Sequence, residues 1–370
     1  MPGMPQDGPD PISIAAPEVT EAEEEAVLRV LRSGRLAQGP EVAAFEESFG
    51  ALQRAPHVVA TSNGTTAIHT ALHILGVGAG DEVLVPAFTF AASGNAVIAT
   101  GATPVFVDIS DHWLIDLDDA ARRITDRTKA VMPVHLYGLM TDMKAVQAFA
   151  DTHGLSIVED AAQAHLARRD GRWAGTTGVG AFSFYATKNA MMGEGGAVTT
   201  TSGELADAAR RFRNHGMTSR YTHVEWGLNL RLTELQAAIG VEQLKRLEQW
   251  TERRRANAAF FDEHLPETYE TPTVPEGAHH VYHQYTVTVP SAMRDKLLEG
   301  LRDRGIGADI YYPTPVPMQP AFEGPDASHR YPNAVAASRS IINLPVHPQL
   351  SDSDLDRIVT AAAEVSALVG

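Results

Sequence analysis

The stretch 158–199, VEDAAQAHLARRDGRWAGTTGVGAFSFYATKNAMMGEGGAVT, holds two residues whose types and spacing suit the handling of an amino group. Asp160 lies just past the apolar run Leu155–Val158, at the expected carboxyl end of a strand, and Lys188 follows 28 residues later in the loop 186–196. A lysine amine that can shed its proton adds to an aldehyde to give an imine. A carboxylate held against a pyridine nitrogen keeps that ring protonated and electron-withdrawing. The pair therefore suits a carbonyl-transferring cofactor. Position alone does not decide it, because an Asp after a strand commonly caps a helix and a loop lysine is ordinarily a solvated charge.

The elements around the pair follow a βα rhythm. Short apolar runs at 57–61, 82–86, 103–107, 130–134 and 155–159 alternate with small-residue helical stretches, and runs at 181–185 and 196–200 bracket the Lys188 loop. Such alternation predicts an α/β fold with a mainly parallel sheet and helices on both faces, in which ligands sit outside the carboxyl ends of the strands. Upstream, Thr20–Arg32 reads as a capped amphipathic helix with an acidic first turn, and Pro40–Leu52 as a second helix. Thr233–Arg255 reads as one long helix. Its end marks the boundary between a large domain, 20–255, and a smaller α+β domain, 256–370, on which the N-terminal helix can pack. The small domain is expected to hold strands around 282–289, a helix at 291–304, a Pro-rich loop at 312–320 and a final helix from Ser351. Residues 1–19 form an arm, read as mobile over its first dozen residues.

Composition narrows the partners. With 30 Lys+Arg against 46 Asp+Glu, the net charge of −16 argues against a nucleic acid or an anionic membrane. A phosphorylated ligand then needs a local site of backbone N–H groups and hydroxyls. The chain has no Cys, which excludes disulfides, thiol nucleophiles and thiolate metal sites and fits a reducing cytoplasm. The first dozen residues lack the basic and apolar regions of a signal peptide, and no 18-residue apolar run predicts a membrane span.

The string SFYATKN followed by GEGG, with EDAAQAH upstream, resembles the DegT/DnrJ/EryC1/StrS family of sugar aminotransferases. Further segments match in the family's order: GRLAQGP (34–40), SNGTTA (62–67), VPAFTF (85–90), HLYG (135–138), RNHG (213–216), GLNLRL (227–232) and LPVHP (344–348). Each motif alone is weak; together they span about residues 12–348.

The resemblance implies a pyridoxal 5′-phosphate (PLP) enzyme of fold-type I, with a seven-stranded, mainly parallel sheet in the large domain. It implies that Lys188 holds the cofactor and shuttles the reaction's proton, that Asp160 pairs with the pyridinium nitrogen, and that Gln163 reaches the phenolic oxygen. Phe90 would stack on the ring. Gly64, Thr65 and Ser183 would hold the phosphate, joined by Asn229 from a neighbouring subunit, so a homodimer with shared active sites is implied. Tyr137 and His347 match motifs near the substrate pocket, and a purely structural role for either is equally open. The implied reaction moves an amino group from an amino acid, with L-glutamate the expected donor, to C4 or C3 of a nucleotide-linked keto-deoxysugar. A keto-cyclitol acceptor, or a regulatory protein that keeps the fold without catalysis, are the alternatives; the intact Lys188, Asp160 and Gln163 speak against the latter.

Other residues have plainer readings. Gly76, Gly78 and Gly80 precede a strand rather than follow one, which suits a helix-ending turn and not a dinucleotide loop. His279, His280 and His283 lack further partners at ligand spacing, so no metal is predicted and a strand-edge or substrate-contact role is the reading. Met191 and Met192 read as packing. Leu166, Pro317, Tyr311 and Met140 stand where many family members carry other residues, and these departures bear on the substrate rather than the cofactor.

Overall fold

A computed structural model describes residues 10–369. Among them, seven strands form one sheet: β1 His57–Thr61, β2 Glu82–Pro86, β3 Thr103–Val107, β4 Thr128–Val131, β5 Ser156–Asp160, β6 Val179–Ser183 and β7 Gly196–Thr200. Their spatial order is β1-β7-β6-β5-β4-β2-β3. β7 runs antiparallel to both of its neighbours, while the pairs β6/β5, β5/β4, β4/β2 and β2/β3 are parallel.

Successive residues of each strand enter different cores, as a two-residue repeat demands. Val83 and Val85 join one core and Leu84 the other; Val158 and Ile157 divide in the same way. Helices cover both faces: α1 Glu21–Ser33, α2 Pro40–Gln53, α3 Gly64–Ile74, α4 Ala91–Ala99, α5 Leu117–Arg123, α6 Met143–His153, α7 Gly203–Phe212 and α8 Glu234–Leu244. Thr20 and Glu23 cap α1 reciprocally, and Gly76, at φ 73°, turns the chain after α3.

A third core gathers α9 Leu247–His264, α10 Arg294–Asp303 and α12 Asp352–Val369 against the antiparallel pair β8 Tyr285–Thr288 and β9 Ile341–Leu344. α11 Pro332–Ser340 instead packs through Ala334 and Ala337 onto the sheet side.

Two expectations need correction. The single helix expected over 233–255 is two, α8 and α9, parted at Lys245–Arg246. Arg246 is held there by Glu18 and Glu23 and lies over the Trp250 ring, so its side chain fixes the corner. Position 255 falls inside α9. The mobile dozen at the N-terminus lies outside the described residues up to position 9, but Ile12 is buried in the third core and exchanges backbone hydrogen bonds with Gly305 and Gly307. An apolar residue in a Pro/Gly-rich stretch supplied the anchor.

Candidate active site

The loops that follow β1, β2, β5 and β6 meet at one edge of the sheet. Asp160, the last residue of β5, is buried; its Oδ2 accepts from Ser93 Oγ at 2.7 Å and its Oδ1 from the Ala162 N–H at 3.2 Å. Burial pushes the carboxyl upward in pKa, and the two hydrogen bonds and the nearby Lys188 oppose that shift. Lys188 sits beyond β6 in a turn closed by its own N–H to the Tyr185 carbonyl. Burial lowers its amine to about 8, against the pull of Asp160. About a tenth is therefore uncharged at pH 7, far more than for a solvated lysine, and it is the uncharged form that is nucleophilic.

Gln163 is locked at both ends. Its Oε1 accepts from the Tyr137 N–H at 2.6 Å, and its Nε2 donates to Tyr312 Oη at 2.7 Å, leaving one amide hydrogen for a ligand. Tyr137 is buried in the left-handed region, φ 57°, with its ring stacked on Tyr312. The turn that carries it is pinned from beneath: the Thr141 N–H donates to His135 Nδ1, so His135 donates through Nε2–H to the buried Glu159 at 2.9 Å. Glu159 also accepts from Gly175, Thr177 and Gly178, and these donors hold its carboxyl below the usual range.

At the start of α3, Asn63 caps the Thr66 N–H, while the N–H groups of Gly64 and Thr65 have no protein acceptor among the described residues. A Cβ on Gly64 would lie 2.7 Å from the Ser183 Cβ, so only glycine lets helix and strand approach here. A Cβ on Gly196 would likewise collide with the Asn63 carbonyl, which explains the glycine that opens β7. The result is a cradle of two free N–H groups and the Ser183 hydroxyl at a helix N-terminus, a site suited to an anion.

Phe90 caps α4 and is 62% exposed, with its ring 6.4 Å from that of Tyr312. Asn229 is exposed, one residue from Leu230, whose carbonyl accepts from the Ser62 N–H at 2.9 Å. The rest of the sequence-derived set lies around one edge of the sheet, and His347 precedes Pro348 and Gln349, which line a small cavity with Lys188. His347 is buried and hydrogen-bonded through Nε2 to the Ser13 carbonyl at 3.1 Å, so its visible work is to hold the N-terminal arm.

Sequence reasoning missed Ser93, Tyr312 and Asn189, and it singled out His283 only as one of three histidines at a strand edge or substrate contact. His283 is buried and donates to Asn189 beside Lys188, and Asn189 in turn donates to the Val281 carbonyl. Tyr312 adjoins the Tyr311 already singled out, and Asn189 closes the SFYATKN string; Ser93 carried no local signal, being one small residue in a small-residue helix. Leu166 adopts φ 65°, a region that glycine enters freely and a leucine rarely does. A cavity of about 680 Å³, walled by the loop 109–113, Glu270–Thr273 and α11, touches the far side of the Tyr137 turn and contains neither Lys188 nor Asp160. We place the chemistry at the lysine because the convergent polar groups are there. Among the described residues no group of three or more His, Asp or Glu could hold a metal ion, and no helix is long and apolar enough to cross a membrane.

The chain belongs to the DegT/DnrJ/EryC1/StrS aminotransferase family, whose model matches residues 17–363. It is similar to the dTDP-3-amino-3,4,6-trideoxy-alpha-D-glucose transaminase of Streptomyces venezuelae, 43% identical over 360 residues that cover 95% of this chain and 94% of the relative. It is also similar to a pleiotropic regulatory protein of Geobacillus stearothermophilus, 40% identical over 90% of this chain and 92% of that one. The crystal structure of S. venezuelae DesV superposes with a TM-score of 0.88 at 42% identity, covering 92% of this chain and 93% of that one. The fold is that of the fold-type I PLP aminotransferases, and the protein is a PLP-dependent aminotransferase. The residues present fit that cofactor: a lysine with a lowered pKa, a buried carboxylate facing it, and an anion cradle whose N–H groups lack protein acceptors.

Proposed function

We propose that this aminotransferase takes its amino group from an amino acid, with L-glutamate the expected donor, and delivers it to the ketone carbon of a nucleotide-linked deoxysugar. The observation that carries the reading is the buried Asp160 carboxylate within electrostatic reach of the partly deprotonated Lys188 amine. The named activity of the S. venezuelae relative supports the sugar acceptor.

When bound, PLP supplies the aldehyde that carries the amino group and the ring that draws electrons from the reacting carbon. Lys188 holds the cofactor and, once freed, moves the proton at the reacting carbon. Asp160 keeps the ring nitrogen protonated; a positive partner there offsets the burial that raises its own pKa. Gln163 offers its free amide hydrogen to the phenolic oxygen, and Phe90 covers the ring. Gly64, Thr65 and Ser183 hold the phosphate.

Asn229 completes a neighbour's phosphate site in a homodimer. The apolar side chains in the segment before it support this reading: Tyr221 is 78% exposed, Trp226 64% and Val224 59%, surface that water penalises and a second copy would cover. Tyr137 faces the sugar side only through its wall of stacked rings, and His347 acts through the arm.

The test is to incubate the holoenzyme with L-glutamate, remove the oxoacid, and present nucleotide-linked 3-keto and 4-keto sugars alongside keto-cyclitols. Return of the original cofactor spectrum with a keto sugar, and aminated sugar by mass spectrometry, is the expected result. Turnover with cyclitols alone would overturn the sugar assignment.

A further inference from the structure

The cavity of about 680 Å³ behind the Tyr137 turn takes no part in the chemistry at Lys188, and its volume lies within the range of about 300–1,000 Å³ usual for small-molecule sites. Four carboxylates line it: Asp111, Asp116 and Asp118 from the chain between β3 and α5 and the first turn of α5, and Glu270 from the chain after α9. No Lys or Arg is among its lining residues, and among the described residues none of the four forms an ion pair. Neighbouring carboxylates are treated differently, since Asp119 meets Arg123 at 2.6 Å and Glu82 meets Arg127. A concave acidic lining without cations focuses negative potential, which attracts a positive ligand and repels a phosphorylated one.

Acidic side chains alone are commonly a solvated face, and a buried group in the same wall narrows the choice. His280 borders the cavity and is 4% exposed, and its Nδ1 accepts from the Tyr282 N–H at 2.9 Å. Burial and the charge of Arg255 lower the ring to about 3, so it is neutral with its proton on Nε2, which has no acceptor among the described residues. A buried N–H left in this way calls for an oxygen acceptor such as a hydroxyl. Trp113 adds an aromatic wall. It and His112 adopt left-handed φ values of 59° and 64°, and His112 Nδ1 meets Thr273 Oγ1 at 3.3 Å, which ties this loop to the Glu270 side. An ammonium against a Trp face gains a cation–π attraction. The charges are spread along the walls, and no group of three or more described His, Asp or Glu could hold a metal ion, so a compact metal cation is a poor match. We infer that this cavity binds a hydroxylated organic ammonium ion that carries no phosphate, with the cation among the four carboxylates against Trp113 and a hydroxyl on His280. A nucleotide-linked sugar is repelled by its own phosphates, so this site is distinct from that of the reaction proposed above and does not depend on it.

The experiment uses the holoenzyme and choline, a hydroxylated quaternary ammonium that cannot form an imine and so cannot act as an amino donor. Calorimetry at low ionic strength compares choline with its uncharged isostere 3,3-dimethylbutan-1-ol, with tetramethylammonium, which lacks the hydroxyl, and with phosphocholine. Choline is expected to bind saturably at one site per chain, the isostere and phosphocholine about tenfold or more weaker, and tetramethylammonium about fivefold weaker for want of one hydrogen bond. Raising the salt concentration should weaken choline and leave the isostere unmoved. Asp111 and Glu270 are exposed, so Asp111→Asn combined with Glu270→Gln should fold. That double variant should bind choline about tenfold more weakly while its transamination rate and cofactor spectrum match wild type. Trp113→Leu, with all four carboxylates intact, should weaken choline about fivefold, and His280→Phe should abolish the preference for choline over tetramethylammonium. The inference is overturned if choline gives no saturable heat, if the isostere binds as well as choline, or if the double variant keeps wild-type affinity. A change in the cofactor spectrum as choline binds, unaltered in the double variant, would overturn it as well by placing the ammonium at the Lys188 site.

Discussion

The wall built on β5 and the loop after β4 differs from the surface that carries Asn229. On the first, Asp160 has an acceptor role filled at each oxygen and Gln163 is bonded at both ends of its amide. On the second, Asn229 is exposed beside a two-stranded hairpin, Met217–Ser219 with Thr222–His223, and large apolar side chains point to solvent. In the proposed function one chain thus fixes the groups that would govern the ring's electronics, where misplacement of a charge is most costly. In the proposed function the phosphate side, served by Gly64, Thr65 and Ser183, is left open for a second copy to complete.

The preorganised wall yields the largest expected effects. Lys188→Ala should lower transamination by about 10⁴-fold or more with the fold intact, because one side chain both holds the cofactor and carries the proton. Steady-state rates, circular dichroism and the mass of the Lys188 peptide after borohydride reduction of wild type check this; an unmodified Lys188 would remove it from the site. Asp160→Asn should cost about 10³-fold, since an amide of the same shape cannot keep the ring nitrogen protonated. Activity within a few-fold of wild type would reduce Asp160 to a cap for the turn after β5.

The open surface is probed by mixing subunits. In a heterodimer of Lys188→Ala and Asn229→Ala, a site shared between copies places both lesions in one pocket and leaves the other intact. Activity should then rise from near background to about half of wild type per dimer. If Asn229 serves only its own chain, each pocket keeps one lesion and verified heterodimers stay inactive.

How much of this was legible in the sequence depended on range. Strands β1, β2, β3 and β7 were readable to the residue because apolar runs with sharp Gly, Pro or polar ends encode them locally. Lys188 and Asp160 were readable because motif and strand end coincided. Ser93 and Tyr312 were not, because their partners lie 67 and 149 residues away and nothing in either neighbourhood encodes the meeting. The break between α8 and α9 escaped for the same reason: helical periodicity continues through Lys245–Arg246, and the residues that hold the corner come from the N-terminal arm.

Between the two regions stands the Lys188 amine, and its protonation gives a smaller, graded effect. Its pKa is lowered to about 8, so at pH values below this the apoprotein holds mainly the charged form, which cannot add to an aldehyde. The rate at which apoprotein captures PLP should fall about tenfold per pH unit below 8 and level off above it. A rate that keeps rising toward pH 10.5 would mean that the amine is solvated and that burial does not govern it.

The smallest effect tests whether the closed wall needs all of its hydrogen bonds. Tyr312→Phe keeps the ring that stacks on Tyr137 and packs near Phe90, and removes only the hydroxyl that accepts from Gln163. Gln163 stays fixed at its other end by the Tyr137 N–H, so its amide should loosen rather than leave. The loss of one neutral hydrogen bond, about 1 kcal/mol, corresponds to roughly a fivefold fall in kcat/KM, with PLP affinity little changed. Gln163→Ala, which removes the amide altogether, should exceed this clearly. If the two variants are equally impaired, Tyr312 does more than orient Gln163, and its hydroxyl must itself touch the substrate. If Tyr312→Phe is silent while Gln163→Ala is not, the Tyr137 N–H alone suffices, and the wall is built with more hydrogen bonds than catalysis requires.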